Sequence, residues 1–396
     1  MVYSSLNIKI YAFLLFLSSS YIKFFGAQAY SSQSVNNISL IQVLGIIFFI
    51  TVVLLNEILR KNFSFKIEQF LLLFFISVFI SAMLNFNINT LLIFFFFFVN
   101  TLCLFLIFKD NGIKNFDSAS SFSILLFVSL FSIAIISQFL IYGVDINGRN
   151  VGNFHPNRFS IQGLIILSLA FFSTKNNLFR LVFFAISIFL PLIVISRGGL
   201  FAILLFIFFY LFFKYIFILN IPKFLNYISF GFFFITPFLI ILIYLFFNQL
   251  REVFVYLELI DSASRGLSSG FTGRSNLWDN AIAQFPLKPI FGYGFDNFGI
   301  KLHSSWLKIL IETGLFGFTL FFISLFNLLI NGIYILKHNY NDKLCVAISC
   351  VIALIFFGII ENLVFEISQS VSLLFFFFLS FIYYFLIESK KISFNE

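Results

Sequence analysis

The residues best equipped for chemistry fall in three short polar segments of an otherwise apolar chain. GRNVGNFHPNR carries Arg149, His155 and Arg158, and SRGGL carries Arg197. The stretch running from GRSNLW to HSSWLKILIETGLFGF carries Arg274, His303, Lys308 and Glu312. Arginines beside an imidazole suit one reaction type. Planar guanidinium forks hold phosphate oxygens through paired donors and neutralise the charge that develops on a departing diphosphate. An imidazole, which titrates near pH ~6.5, takes the proton of an incoming hydroxyl. His303 is the candidate base, and Arg197, Arg274, Arg158 and Arg149 are the candidate anion ligands.

Each of these residues also has a plainer reading. His303 fits a position at the head-group boundary beside Trp306, with Ser304 or Ser305 capping a helix. His155, next to Pro156, fits a turn, and His338, next to Lys337, fits a structural turn at the opposite face. Lys308 and Glu312 are four apart and share a helix face, so they can pair. That pairing competes with a role for Glu312 in orienting the histidine or contacting a sugar. Gly314 and Gly317 would let a neighbouring helix approach closely. Glu361 and Asn362 read as a polar contact deep in a helix, with an intramembrane carboxylate leaving a functional role open. No phosphate-binding glycine loop, HExxH or DxD pair is present, and Asp261, Asp279 and Asp296 are dispersed, so no metal or cofactor is expected.

The elements that must position these residues are membrane helices. The chain has 396 residues, 61% hydrophobic and only 10% charged, far from the composition of a soluble domain. Runs long enough to cross a bilayer predict spans at 9–27, 38–57, 67–86, 88–108, 121–143, 157–174, 178–196, 199–218, 226–247, 306–335, 344–365 and 370–388. The expected fold is all-α and integral to the membrane, a single polytopic domain over 1–396 with about twelve transmembrane helices. The 69 Phe residues fill spans and carry no site information. Cys103, Cys345 and Cys350 lie in apolar runs without metal or disulfide spacing and read as buried thiols. The first apolar run lacks a clear cleavage site and reads as a helix rather than a signal peptide.

Lysines recur in the loops of one side, which the positive-inside rule makes cytoplasmic, with both termini there. The formal charge of +8 then reads as loop charge meeting anionic membrane lipids, not as a nucleic-acid surface. Six arginines, Arg149, Arg158, Arg197, Arg251, Arg265 and Arg274, fall on the outer side. One loop is long, 248–305, and predicts two short amphipathic helices: one over 248–261, one over 275–285 with Trp278, Ile282 and Phe285 on one face. A Ser/Gly segment joins them, and a turn-rich stretch through Gly292 and Gly294 comes next.

GRSNLWDNAIAQFPLKPIFGYGFDNF followed by HSSWLKILIETGLFGF resembles the signature region of the O-antigen ligase and O-antigen polymerase superfamily, over Gly273 to Phe318. SRGGL is similar to that family's Ser-Arg-Gly element, and NFHPNRFS to its Asn-Pro-Asn loop. Ser304 stands where the family usually has Asn. The resemblance implies a C-type membrane glycosyltransferase, multi-pass in the bacterial inner (cytoplasmic) membrane and acting on the periplasmic face. Its donor would be a glycan on undecaprenyl diphosphate. Its acceptor would be lipid A-core in a ligase, or another lipid-linked glycan in a polymerase. It further implies metal-independent transfer, with His303 as acceptor-activating base, Arg197 and Arg274 on the diphosphate, and Glu312, matching the family's helix glutamate, as the second catalytic residue. A lipid-linked glycan flippase is the competing class. A transporter places polar groups at mid-bilayer, whereas here they gather at one outer face.

Overall fold

In the computed structural model of the chain the described residues are 2–26, 40–59, 67–86, 88–109, 118–143, 151, 156–194, 196–218, 270–299, 302–362, 365 and 369–393. Their helices are α1 (Val2–Gly26), α2 (Leu40–Leu59), α3 (Gln69–Leu84), α4 (Ile88–Ile107), α5 (Ser118–Tyr142), α6 (Pro156–Ser160) and α7 (Gln162–Ser173). The series continues with α8 (Asn177–Ile193), α9 (Arg197–Ile218), α10 (Gly270–Gln284), α11 (Ser305–His338), α12 (Asp342–Ile360) and α13 (Ser370–Ser393). No strand occurs among the described residues. Among the described residues, six helices are long and apolar enough to cross a membrane, and shorter apolar stretches run along α1, α2, α3, α6–α7 and α8. Eleven of the predicted spans fall on these elements; 226–247 and the predicted helix over 248–261 lie outside the described residues, as does the Ser/Gly segment up to 269, whereas its last residues, 270–273, are helical and open α10.

Three departures from the expected spans shape the polar end of the bundle. The span expected over 157–174 is broken at Ile161 into α6 and α7. The span expected to reach 365 stops at Ile360, so Glu361 caps α12 instead of lying inside it. The long α11 is interrupted at Gly314, whose φ of 70° is not helical.

Packing is dominated by aromatic side chains. α11 lies on α3, α12 on α9 and α1 on α2, while α13 runs through the interior with Leu374, Phe375, Phe376, Phe377 and Phe378 buried. Phe365, in the segment between α12 and α13, meets Phe97 of α4, Phe321 of α11 and Phe376 of α13. The three cysteines are free and buried.

Charge inside the bundle is clamped at the Lys-rich end. Glu57 of α2 accepts from Lys9 of α1 and from Lys109 after α4, the latter at 2.6 Å. Lys9 also donates to the Leu106 carbonyl at 2.8 Å. Arg180 of α8 pairs with Asp342 of α12 and donates to the Tyr210 hydroxyl at 2.8 Å. Glu57 thus ties α1 and α2 to the segment after α4, and Asp342 ties α8, α9 and α12, because an unpaired buried charge is costly.

Candidate active site

The opposite end of the bundle assembles the polar segments, beginning at the start of α11. Ser304 is its N-cap: the Ser304 hydroxyl accepts from Leu307 N at 3.4 Å and donates to the Gly358 carbonyl of α12 at 3.3 Å. Serine and asparagine are equally strong N-cap residues, so Ser304 keeps the cap that an Asn at this position would also supply. Trp306 was expected as an interfacial anchor and is instead fully buried, donating through Nε1 to the Ile355 carbonyl at 2.7 Å. A Cβ on Gly358 would stand 3.0 Å from the indole, so this glycine admits the ring. His303 precedes this locked start and is half-buried.

Glu361 is the node of the site. Its backbone carbonyl accepts from Ser305 twice, from Oγ at 2.9 Å and from N at 3.3 Å. Its carboxylate accepts from Asn157 Nδ2 of α6. Asn157 Oδ1 in turn accepts from the Ser196 hydroxyl at 2.9 Å, and Ser160 Oγ stands 2.8 Å from Ser196 Oγ. Ser196 also receives Gly199 N at 3.4 Å, so it opens α9 as its cap. A Cβ on Gly199 would lie 2.1 Å from Ser160 Oγ; the second glycine of SRGGL is what lets α9 reach the α6–α7 break. Hydrophobic periodicity hid this role of Glu361, since an apolar run reads the same whether it ends before or after the acid.

One bonded chain therefore fastens the segment after His303 to the residues beside Arg158 and Arg197. Arg158 is half-buried on α6, and Arg197 is exposed at the first position of α9. Arg274, just ahead of the helix predicted over 275–285, falls within α10, four residues after its start. Arg149, His155, Arg251 and Arg265 lie outside the described residues. Asn157→Ala strips a partner from both Glu361 and Ser196. Loss of a buried charge-assisted bond costs about 1.5–3 kcal/mol, and Asn157→Asp should cost more by setting a second carboxylate against Glu361. Thermal unfolding in detergent should therefore rank wild type above Asn157→Ala above Asn157→Asp. Equal midpoints would rule this chain out as a fastener.

A second anchorage lies where the turn-rich stretch enters the break in α11. α10 (with Trp278 and Ala281 buried) ends in a 3-10 turn, Phe285–Leu287, at Pro286. The backbone then threads into α11. Leu315 N and Phe316 N donate to the Pro289 and Ile290 carbonyls at 2.8 and 3.2 Å, while Tyr293 N and Gly294 N donate to the Ile311 and Glu312 carbonyls at 3.0 and 2.9 Å. The carbonyls and amides freed by the helix break are thus satisfied by the turn. Ser81 of α3 adds a bond to the Glu312 carbonyl at 2.9 Å, and Asn85 Nδ2 one to the Gly292 carbonyl at 3.0 Å. Gly314 was expected to admit a helix; it admits this turn, since a Cβ there would lie 2.1 Å from the Ile290 oxygen. Gly317 does face a helix, with Ser77 of α3 at 2.9 Å from a would-be Cβ.

Glu312 is buried at this junction. Its carboxylate stands 3.9 Å from Lys308, as the four-residue spacing predicts, but Lys308 makes its closer pair with Asp296 of the turn at 2.8 Å. The sequence missed Asp296 because nothing in its spacing links it to Lys308.

These features define an all-helical, multi-pass membrane protein whose polar site is built at one end of the bundle from three helix starts and a helix end. Residues 181–322, about a third of the chain, match the family model Wzy_C, described as O-antigen ligase, and this match supports the chain's resemblance to the O-antigen ligase and polymerase superfamily. The matched region runs from α8 into α11 and contains Arg197, Arg274, His303 and Glu312. The family points to an enzyme of membrane glycosyl transfer in polysaccharide assembly. Neither a curated protein nor a solved structure matches the chain.

Proposed function

We propose that the chain lies in the bacterial inner membrane with about twelve spans, both termini cytoplasmic and the polar end of the bundle facing the periplasm. There it moves a glycan from undecaprenyl diphosphate to an acceptor sugar, on lipid A-core as a ligase or on another lipid-linked glycan as a polymerase. The long loop over 248–305 belongs, in this reading, to the periplasmic side. The observation that supports this reading is the chain Ser305–Glu361–Asn157–Ser196, which joins the histidine-bearing start of α11 to the arginine-bearing starts of α6 and α9.

In the reaction, an acceptor hydroxyl oxygen attacks the anomeric carbon of the donor. The bond from that carbon to the diphosphate oxygen breaks, and its electron pair leaves on the diphosphate. His303 takes the hydroxyl proton and later releases it to water. Arg197 and Arg274 hold the diphosphate and neutralise its growing charge, with Arg158 and Arg149 extending the basic lining. Guanidinium forks supply this neutralisation, so the proposed transfer is metal-independent. Glu312 acts from behind, through Lys308, and positions the start of α11.

The reading is tested by deleting the gene and inspecting surface glycan. Polymer missing from lipid A while lipid-linked polymer accumulates identifies a ligase, a single attached repeat identifies a polymerase, and unchanged glycan defeats both. Arg197→Lys should lower transfer on the order of 100-fold, since an ammonium cannot reproduce the paired donors. Unaltered turnover of a diphospholipid donor by that variant would remove Arg197 from the diphosphate site.

A further inference from the structure

The turn that threads into α11 holds a carboxylate with no part in the proposed transfer step. Asp296 has φ of 57°, the one positive φ outside glycine among the described residues. That conformation costs an L-residue on the order of 1 kcal/mol and persists where neighbours over-determine it, often at ligand clamps. Neighbours on both sides do so here. Phe295 is buried and stacks on Phe97 of α4 at 5.0 Å. Asn297 N donates to the Gly294 carbonyl at 3.2 Å, and its Nδ2 to the Tyr293 carbonyl at 3.1 Å. Lys308 Nζ engages Asp296 Oδ1 at 2.8 Å.

The pair is lopsided in a useful way. The Lys308 side chain is 10% exposed and the Asp296 side chain 33%, so the ammonium stands behind and the carboxylate in front. Lys308 is one helical turn beyond the cap Ser304, which places Asp296 at the His303 end of α11. Beside it, Tyr293 and Phe298 are half-buried and meet edge to face at 5.1 Å. Lys308 already neutralises the carboxylate, which makes the turn a poor site for a cation. A carboxylate that still accepts hydrogen bonds, next to partly open aromatic rings, suits a sugar: ring hydroxyls donate to the oxygens and the C–H face packs on the rings.

We infer that the turn 293–298 is the acceptor-sugar subsite, with Asp296 accepting from hydroxyls of the acceptor and Tyr293 and Phe298 packing its apolar face. This inference rests on the glycosyl-transfer reading. It also gives the interlock with α11 a purpose beyond stability, since the interlock sets the distance between the sugar and His303.

The test uses full-length protein in nanodiscs, with lipid-linked donor and acceptor extracted from the deletion strain. Asp296→Asn should raise the acceptor KM at least 10-fold while the donor KM stays within twofold. Asp296→Gly relieves the backbone strain, and so keeps the fold, yet should show the same acceptor defect. Wild-type transfer with an unchanged acceptor KM in both variants overturns the subsite and leaves the enzyme reading standing. Equal loss toward donor and acceptor, with a lowered melting temperature in both variants, makes Asp296 a structural pin and also overturns the subsite. No transfer by the wild-type chain overturns the enzyme reading and the subsite together.

Discussion

His303→Ala is expected to lower glycosyl transfer by two orders of magnitude or more, with the protein still folded in the membrane. A positioned general base contributes about 10²–10⁴ in rate, and no other described histidine lies at this end of the bundle. The fold should tolerate the change because the start of α11 is secured by other groups. Ser304 caps the helix, Ser305 holds the Glu361 carbonyl, and Trp306 is locked against α12. His303→Gln should fail equally, since an amide keeps hydrogen bonding and cannot take the proton. The readout is glycan on lipid A in the complemented deletion strain, with a size-exclusion profile in detergent to register folding. Wild-type glycan from either variant would remove His303 as the base.

Gly314→Ala is expected to be the most damaging single methyl in the described chain, at about 3–5 kcal/mol. The residue has φ of 70°, and its Cβ would come within 2.1 Å of the Ile290 oxygen and 2.6 Å of Phe291 N. Neither atom can retreat easily, because four backbone bonds pin the 289–294 turn to residues 311–316 of α11. Two comparisons separate collision from conformation. Gly299 has φ of 74° and nothing within 4 Å of its would-be Cβ, so Gly299→Ala meets only backbone strain, about 1 kcal/mol. Gly317→Ala meets the side chains of Thr313 and Ser77, which can rotate, and should fall between. Thermal unfolding of the three proteins should give that order, and equal losses at 314 and 299 would show that the turn does not fill the break.

How much of this was legible in the sequence depends on the range over which each feature is encoded. Helices were legible because hydropathy sums over some twenty neighbours, so α4, α5, α9 and α13 lie where apolar runs predict them. The pair Lys308–Glu312 was legible because helical spacing fixes it. The break at Gly314 was not, because what fills it comes from residues 289–294, and a glycine among apolar residues looks the same in a packed or a broken helix. Trp306 was placed at the membrane boundary by its residue type, whereas its position is set by Gly358 on another helix. Glu361 was read as lying within a helix because Phe365 and its neighbours continue the apolar run past the true end of α12. The candidate site was thus legible as a set of residue types, and its joints were hidden in partners distant along the chain.

The clamp at the Lys-rich end bears on how such a chain can be made. Lys9 leaves the ribosome first, its carboxylate emerges 48 residues later, and Lys109 comes a further 52 residues on. Lys9 lies about two turns into α1, near enough to the helix end for its ammonium to reach the interface while α1 is alone, and it becomes fully buried only with Glu57 beside it. The tight burial of α1 thus waits on α2, which delivers Glu57, and is completed by Lys109 after α4. The order in which the amino-terminal helices pack is thereby tied to three side chains remote from the proposed active site.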